Sequence, residues 1–160
     1  MLFDFASLSD SSKVWIYVSN REFTDSEKTE ISNTLENFIA TWKRHGDDLK
    51  ASYKIKYNQF IILAVDESYN NVSGCSIDAS THLFKAIENK YKIDLFNKMN
   101  IAFKDGENIN IVRLAEFQKY VKEGKISTET IVFNNLVKTK KELKTTWEVP
   151  AKSSWHNRCF

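Results

Sequence analysis

Phe60-Ile61-Ile62-Leu63-Ala64-Val65 is the longest wholly apolar run in the chain, and its length decides what it can be. It is too short for a buried helix and far short of the roughly 20 residues needed to cross a bilayer. A short apolar run rich in β-branched side chains reads as a central strand covered on both faces. Just before it, Tyr53, Ile55 and Tyr57 alternate with Lys54 and Lys56, the pattern of a strand with one wet face, and Asn58 supplies the turn between the two.

Working outward, Lys13 to Ser19 reads as a first strand, with Val14, Ile16 and Val18 on one face and Trp15 and Tyr17 on the other. Thr24 and Glu27 form a capping box, and the apolar residues Ile31, Leu35, Phe38, Ile39 and Trp42 follow at helical spacing. Gly46 stands where a left-handed helix C-cap is wanted, with His45 beside it facing the negative end of the helix dipole. Downstream of the central strand, a polar loop over 66–71 leads to Val72–Asp78 and then to a second helix marked by Leu83, Phe84, Ile87 and Tyr91. Asn100–Phe103 and Ile109–Val112 are strands joined by an Asp105-Gly106 turn.

The resulting order, β-α-β-β-α-β, predicts an α+β fold: an antiparallel sheet of ferredoxin-like order with its helices on one face. A third helix carries Leu114, Phe117 and Val121 and stops at Gly124, and Thr130–Val137 is extended. Residues 1–137 are expected to form a single α+β domain, with residues 138–160 as a basic aromatic tail docked on it.

The chain has 160 residues and a formal charge of +2, from 23 basic and 21 acidic side chains. With 42 % hydrophobic and 13 % aromatic residues it has the material for a sizeable core, which excludes disordered and collagen-like classes. The charge is uneven. Residues 138–160 hold six basic side chains against two acidic ones, so residues 1–137 are net acidic. Two cysteines cannot build a disulfide framework, and Met1–Asn20 has neither a basic start nor an apolar core long enough for a signal peptide. A soluble, cytoplasmic protein is expected.

Absent motifs narrow the chemistry. The four glycines, Gly46, Gly74, Gly106 and Gly124, are too widely spaced for a Walker A loop or a dinucleotide fingerprint, both of which need the backbone to curl tightly around phosphate. H-E-x-x-H, G-x-S-x-G and C-x-x-C are also missing, so zincin and α/β-hydrolase chemistries are set aside as well.

Two clusters remain as candidate sites. Ser73, Gly74, Cys75, Ser76 and Asp78 lie at the start of the second helix, where free amides and the dipole attract anions and would favour a Cys75 thiolate. Trp155, His156 and Arg158 crowd the end of the chain, and Arg158 can hold a carboxylate or phosphate bidentately. If the two meet, they form a groove for an anionic ligand or protein partner, and a non-enzymatic binding module is the favoured function. The competing reading is a small enzyme for acyl or phosphoryl transfer, with Cys75 as nucleophile and His82 or His156 as base. Cys75, His82, His156 and Cys159 could also be assembled into a zinc site, but C-x6-H and H-x2-C are not finger spacings, and no metal or other cofactor is assigned. A further alternative is single-stranded nucleic acid bound by the tail, through Lys138, Lys140, Lys141 and Lys144 with Trp147, Trp155 and Phe160 as stacking platforms.

The segments Ser73-Gly74-Cys75-Ser76-Ile77-Asp78, Thr130-Ile131-Val132-Phe133-Asn134-Asn135-Leu136-Val137 and Val149-Pro150-Ala151-Lys152-Ser153-Ser154-Trp155-His156 resemble those of a small uncharacterised bacterial protein family. Its members are about this length and often carry the automatic label ABC transporter ATPase. The resemblance implies a soluble cytoplasmic bacterial protein and brings no catalytic residue. The ATPase label conflicts with the glycine spacing.

Overall fold

The elements of the computed structural model, which describes residues 1–160, run β1 (Lys13–Val18), α1 (Asp25–Ala40), β2 (Lys43–Arg44), β3 (Asp47–Asp48), β4 (Ala51–Lys56), β5 (Phe60–Val65), α2 (Gly74–Tyr91), β6 (Asn100–Asp105), β7 (Asn108–Arg113), α3 (Leu114–Lys122), β8 (Ile131–Phe133), α4 (Lys140–Thr145) and β9 (Glu148–Pro150). The apolar run is indeed central: β5 sits between β1 and β4, antiparallel to both, and every residue from Phe60 to Val65 has 0 % exposure. The β4–β5 hairpin turns through Tyr57 and Asn58, both at positive φ, the geometry whose twist matches the flanking strands.

Because side chains alternate across a strand, the two faces of β5 feed two cores. Ile61, Leu63 and Val65 pack with Tyr17 against α1 (Ile31, Leu35, Ile39) and α2 (Phe84, Ile87). Phe60, Ile62 and Ala64 pack with Val14 and Val18 against Ala102, Phe133 and Trp147. These last residues belong to or flank a second antiparallel sheet in the order β7-β6-β8-β9. That sheet turns Ile101, Phe103 and Val132 away from the first, onto Phe117 of α3, Ile126 and Ala151. The molecule is thus four layers: α1 and α2, the β1-β5-β4 sheet, the β7-β6-β8-β9 sheet, and α3 with the carboxy-terminal turns.

This α+β arrangement corrects the ferredoxin-like expectation. The antiparallel sheets and the helices are present, but the strands divide between two sheets and the helices cover both outer faces. The physical reason lies in β5. A strand apolar on both faces must be covered twice, and here the second cover is another sheet, not solvent. Residues 138–160 supply α4 and β9, and β9 pairs with β8 along Ile131↔Pro150, Val132↔Val149 and Phe133↔Glu148.

Local signals account for most boundaries. Thr24 accepts from the Glu27 amide while Glu27 accepts from the Thr24 amide, the full capping box. Glu27 also takes both guanidinium nitrogens of Arg21 at 2.8 Å, which holds its carboxyl down at about 2. Gly46 does not cap α1, which ends at Ala40. With His45 it forms the turn of the β2–β3 hairpin, both residues at positive φ. The glycine is needed for the same left-handed backbone, one element later than expected.

Candidate ligand-binding groove

The start of α2 is occupied by the fold's own bonds. Ser73 is the N-cap, its hydroxyl accepting from the Ser76 amide. Ser76 is buried; its hydroxyl donates to the Lys43 carbonyl at 3.0 Å, and its carbonyl accepts from the Trp42 indole at 2.9 Å. Gly74, Cys75, Asp78 and His82 are exposed, and Cys75 makes no hydrogen bond to an imidazole. The residues expected to gather an anion here therefore serve as a cap and as a tie between α2 and the β2–β3 hairpin.

The carboxy-terminal segment docks, as the aromatics require. Trp155 and His156 stack with ring centroids 3.9 Å apart, and His156 lies 5.6 Å from the Phe117 ring in the third core. At 1 % exposure the imidazole is nearly out of water, and burial lowers its pKa to about 4, so it is neutral at pH 7. Its Nδ1 shares a 2.6 Å hydrogen bond with the Ser154 hydroxyl, and Nε2 has no protein partner. Cys159 packs against the same core, which pushes its thiol pKa up. Arg158 is exposed and forms no ion pair. Cys75, His82, His156 and Cys159 are not brought together, and no group of three histidine, cysteine or acidic side chains is placed to hold a metal ion.

The start of α2 and the carboxy-terminal turn border one groove, through Ile77 and not Ser73, Gly74, Cys75, Ser76 or Asp78, and without Arg158. A groove of about 580 Å³ is lined by Ile77 of the first turn of α2 and by Trp155 and His156. Its longest wall is β1, which contributes every residue from Lys13 to Val18. Leu95, Phe96, Asn97 and Lys98, just before β6, form another wall, with Asn135 to Lys138 completing the rim. Leu136 and Ile77 are 64 % and 37 % exposed, so the groove carries bare apolar surface. Its charged lining is Lys13, Lys98 and Lys138, without a carboxylate. Lys13 pairs with Glu67 at 3.0 Å, while Lys98 and Lys138 have no acidic partner. Asn100 is buried in this wall, and its amide nitrogen has no hydrogen-bond partner.

Contiguous lining by both faces of β1 arises because β1 is an edge strand. Its odd residues bond to β5, so the backbone groups of Val14, Ile16 and Val18 point outward. Only the first of these amides is satisfied, Val14 donating to the Lys138 carbonyl at 2.9 Å. No sequence signal singled out Lys98, Asn100 or Leu136.

Of the tail residues offered to nucleic-acid bases, Trp155 is half-buried and Phe160 is 46 % exposed, while Trp147, Lys140 and Lys144 are engaged within the fold. Trp147 is 3 % exposed, packed against Phe60 and Phe133, its indole donating to Asn135. Lys140 is buried, its Nζ donating to the carbonyls of Phe5, Ala6 and Leu8, and Lys144 pairs with Asp10. No helix is long and apolar enough to cross a membrane. No protein-family model, curated protein or solved structure gives a significant match to the chain.

Proposed function

We propose that this chain is a non-enzymatic binding protein that holds an anionic ligand with an apolar body in the groove between β1, the 95–98 segment and the carboxy-terminal turn. One observation carries the reading: an apolar trough whose charged lining is three lysines and no carboxylate. Apolar walls supply affinity through area removed from water, and ammonium groups at the rim select charge sign and orientation. The volume lies within the range of small-ligand and peptide-side-chain sites. His156 adds a neutral imidazole with a free Nε2, suited to a hydrogen bond rather than an ion pair. The Ser73–Asp78 turn takes part through Ile77 alone. The Cys75-nucleophile reading has no comparable support, since no base is hydrogen-bonded to the thiol.

Trp15 and Trp155 both line the groove and report on it. Titration with dodecanoate should change their fluorescence at concentrations at least tenfold below those needed for dodecylamine. Lys98→Glu combined with Lys138→Glu should reverse that order. Equal response to the two amphiphiles would end the proposal.

A further inference from the structure

We infer that the natural occupant of this groove is an extended peptide segment with acidic side chains, added to the first sheet as a strand beside Ile16 and Val18; the inference rests on the binding function proposed above. A trough that needed only to hold a lipid-like chain would be walled by side chains. This one is walled by a strand edge. Ile16 and Val18 turn their N–H and C=O groups away from β5 toward the groove, and no other part of the chain bonds to them. Backbone groups of this kind are strong donors and acceptors, and a row of them is a template for another strand.

The molecule already uses the first part of that template. Lys13 forms an antiparallel bridge with Thr139, and the Val14 amide bonds to the Lys138 carbonyl. The chain then leaves the edge. The Val137 amide turns back to the Asn134 carbonyl, and the Leu136 amide to the Asn134 side chain. Residues 137–139 are thus a strand partner that stops short, and the open length of β1 begins where they depart. A guest strand continues that line.

The surroundings specify the guest. Along a strand, alternate side chains go to opposite faces, so one set of guest side chains meets apolar surface and the other meets the rim. The apolar surface includes Ile77, Leu136 and Phe96, and the rim carries Lys98 and Lys138, neither paired with a carboxylate. An alternation of carboxylates and apolar residues satisfies both. A basic peptide would face like charge and find no counter-ion in the lining.

The test uses the full chain and a set of capped hexapeptides alternating glutamate with Val, Ile, Leu or Phe. At least one should bind, slow hydrogen exchange at the Ile16 and Val18 amides tenfold or more at saturation, and lose tenfold or more in affinity when its own outward amides are N-methylated. Lys98→Glu with Lys138→Glu should weaken it by a similar factor. Equal binding of the methylated and parent peptides, with unchanged exchange at Ile16 and Val18, overturns strand addition and leaves the anion-selective groove standing if dodecanoate still binds. Failure of every peptide while dodecanoate binds also overturns strand addition. Failure of both probe classes overturns the two proposals together.

Discussion

The two edges of the first sheet are built from the same rows of residues and end differently. Ile16, Ile62 and Lys54 lie in register across β1, β5 and β4, and so do Val18, Phe60 and Lys56. On the β1 side these inner rows finish in aliphatic side chains, and on the β4 side in lysines. Each edge is covered over part of its length by another segment: Thr139 bridges to Lys13 of β1, and Leu2 bridges to Ala51 of β4. Beyond the covers they diverge. Lys54 and Lys56 point into the space between the sheets, with Lys54 Nζ 4.8 Å from the centre of the Phe5 ring, and with Lys140 and Lys144 they line a second cavity of about 640 Å³. Charges pointing inward from an edge strand make a further strand costly, because pairing would bury them. The β4 edge is therefore guarded, and the β1 edge is not. An unguarded edge that keeps its apolar rows is expected where a strand is meant to arrive.

The largest effect tests what holds the two covers in place. Lys140 follows directly on the segment beside β1, and its ammonium grips the Phe5–Leu8 turn that follows the segment beside β4. Lys140→Ala leaves the Ala6 and Leu8 carbonyls without a donor, while that of Phe5 keeps the Leu8 amide, and should cost about 3 kcal/mol in urea unfolding. A loss under about 1 kcal/mol would mean that the grip is incidental. Next comes acid sensitivity, which belongs to the groove side because His156 lines it. The unfolded chain binds this proton near pH 6.5 and the folded one near 4, so the unfolded state takes it up first as pH falls. Stability complete above pH 6.5 is then lost down to about pH 4, by up to about 3 kcal/mol. His156→Gln should flatten that part of the profile. It should spare the further loss at lower pH from Glu27, held at about 2 by Arg21, and from Asp66. Burial pushes the Asp66 carboxyl up, but hydrogen bonds from Ser68 and Ser9 outweigh it and hold it at about 2. An unchanged slope between pH 6.5 and 4 would rule this account out. The smallest effect comes from exchanging the edges. Lys54→Ile with Lys56→Val should raise self-association about tenfold by light scattering, roughly 1.4 kcal/mol. Ile16→Lys should weaken peptide capture while costing about 1 kcal/mol of stability. If the unguarded β4 edge stays as inert as before, the lysines are not what protects it.

Much of the local structure is legible in the sequence. The alternation in Lys13–Val18, the Thr24–Glu27 box and the all-apolar Phe60–Val65 each carry their own geometry within a few residues. What could not be read is which partner covers the second face of β5. Phe60, Ile62 and Ala64 would look the same under a helix as under a sheet, and the strands that cover them come from residues 100–133. α4 was missed although its signal was present: Thr139-Lys140-Lys141-Glu142 has capping-box spacing, and Thr139 does accept from the Glu142 amide. Its charged composition masked it. The groove was half legible. Trp155 and His156 were singled out because aromatics near a chain end must pack, but Lys98, Asn100 and the bare edge at Ile16 acquire meaning only when three separate segments meet.

The layered stacking also dictates a sequence of events during synthesis. The first sheet is complete once Val65 has left the ribosome, yet Trp147, which covers Phe60, follows about 80 residues later. At ordinary elongation rates that is a delay of about 4–16 s. Over that interval the Phe60 and Ile62 face gains its second-sheet cover piecemeal, first from Ala102, then from Phe133 and last from Trp147, so the sheet is finished well before its second face is sealed.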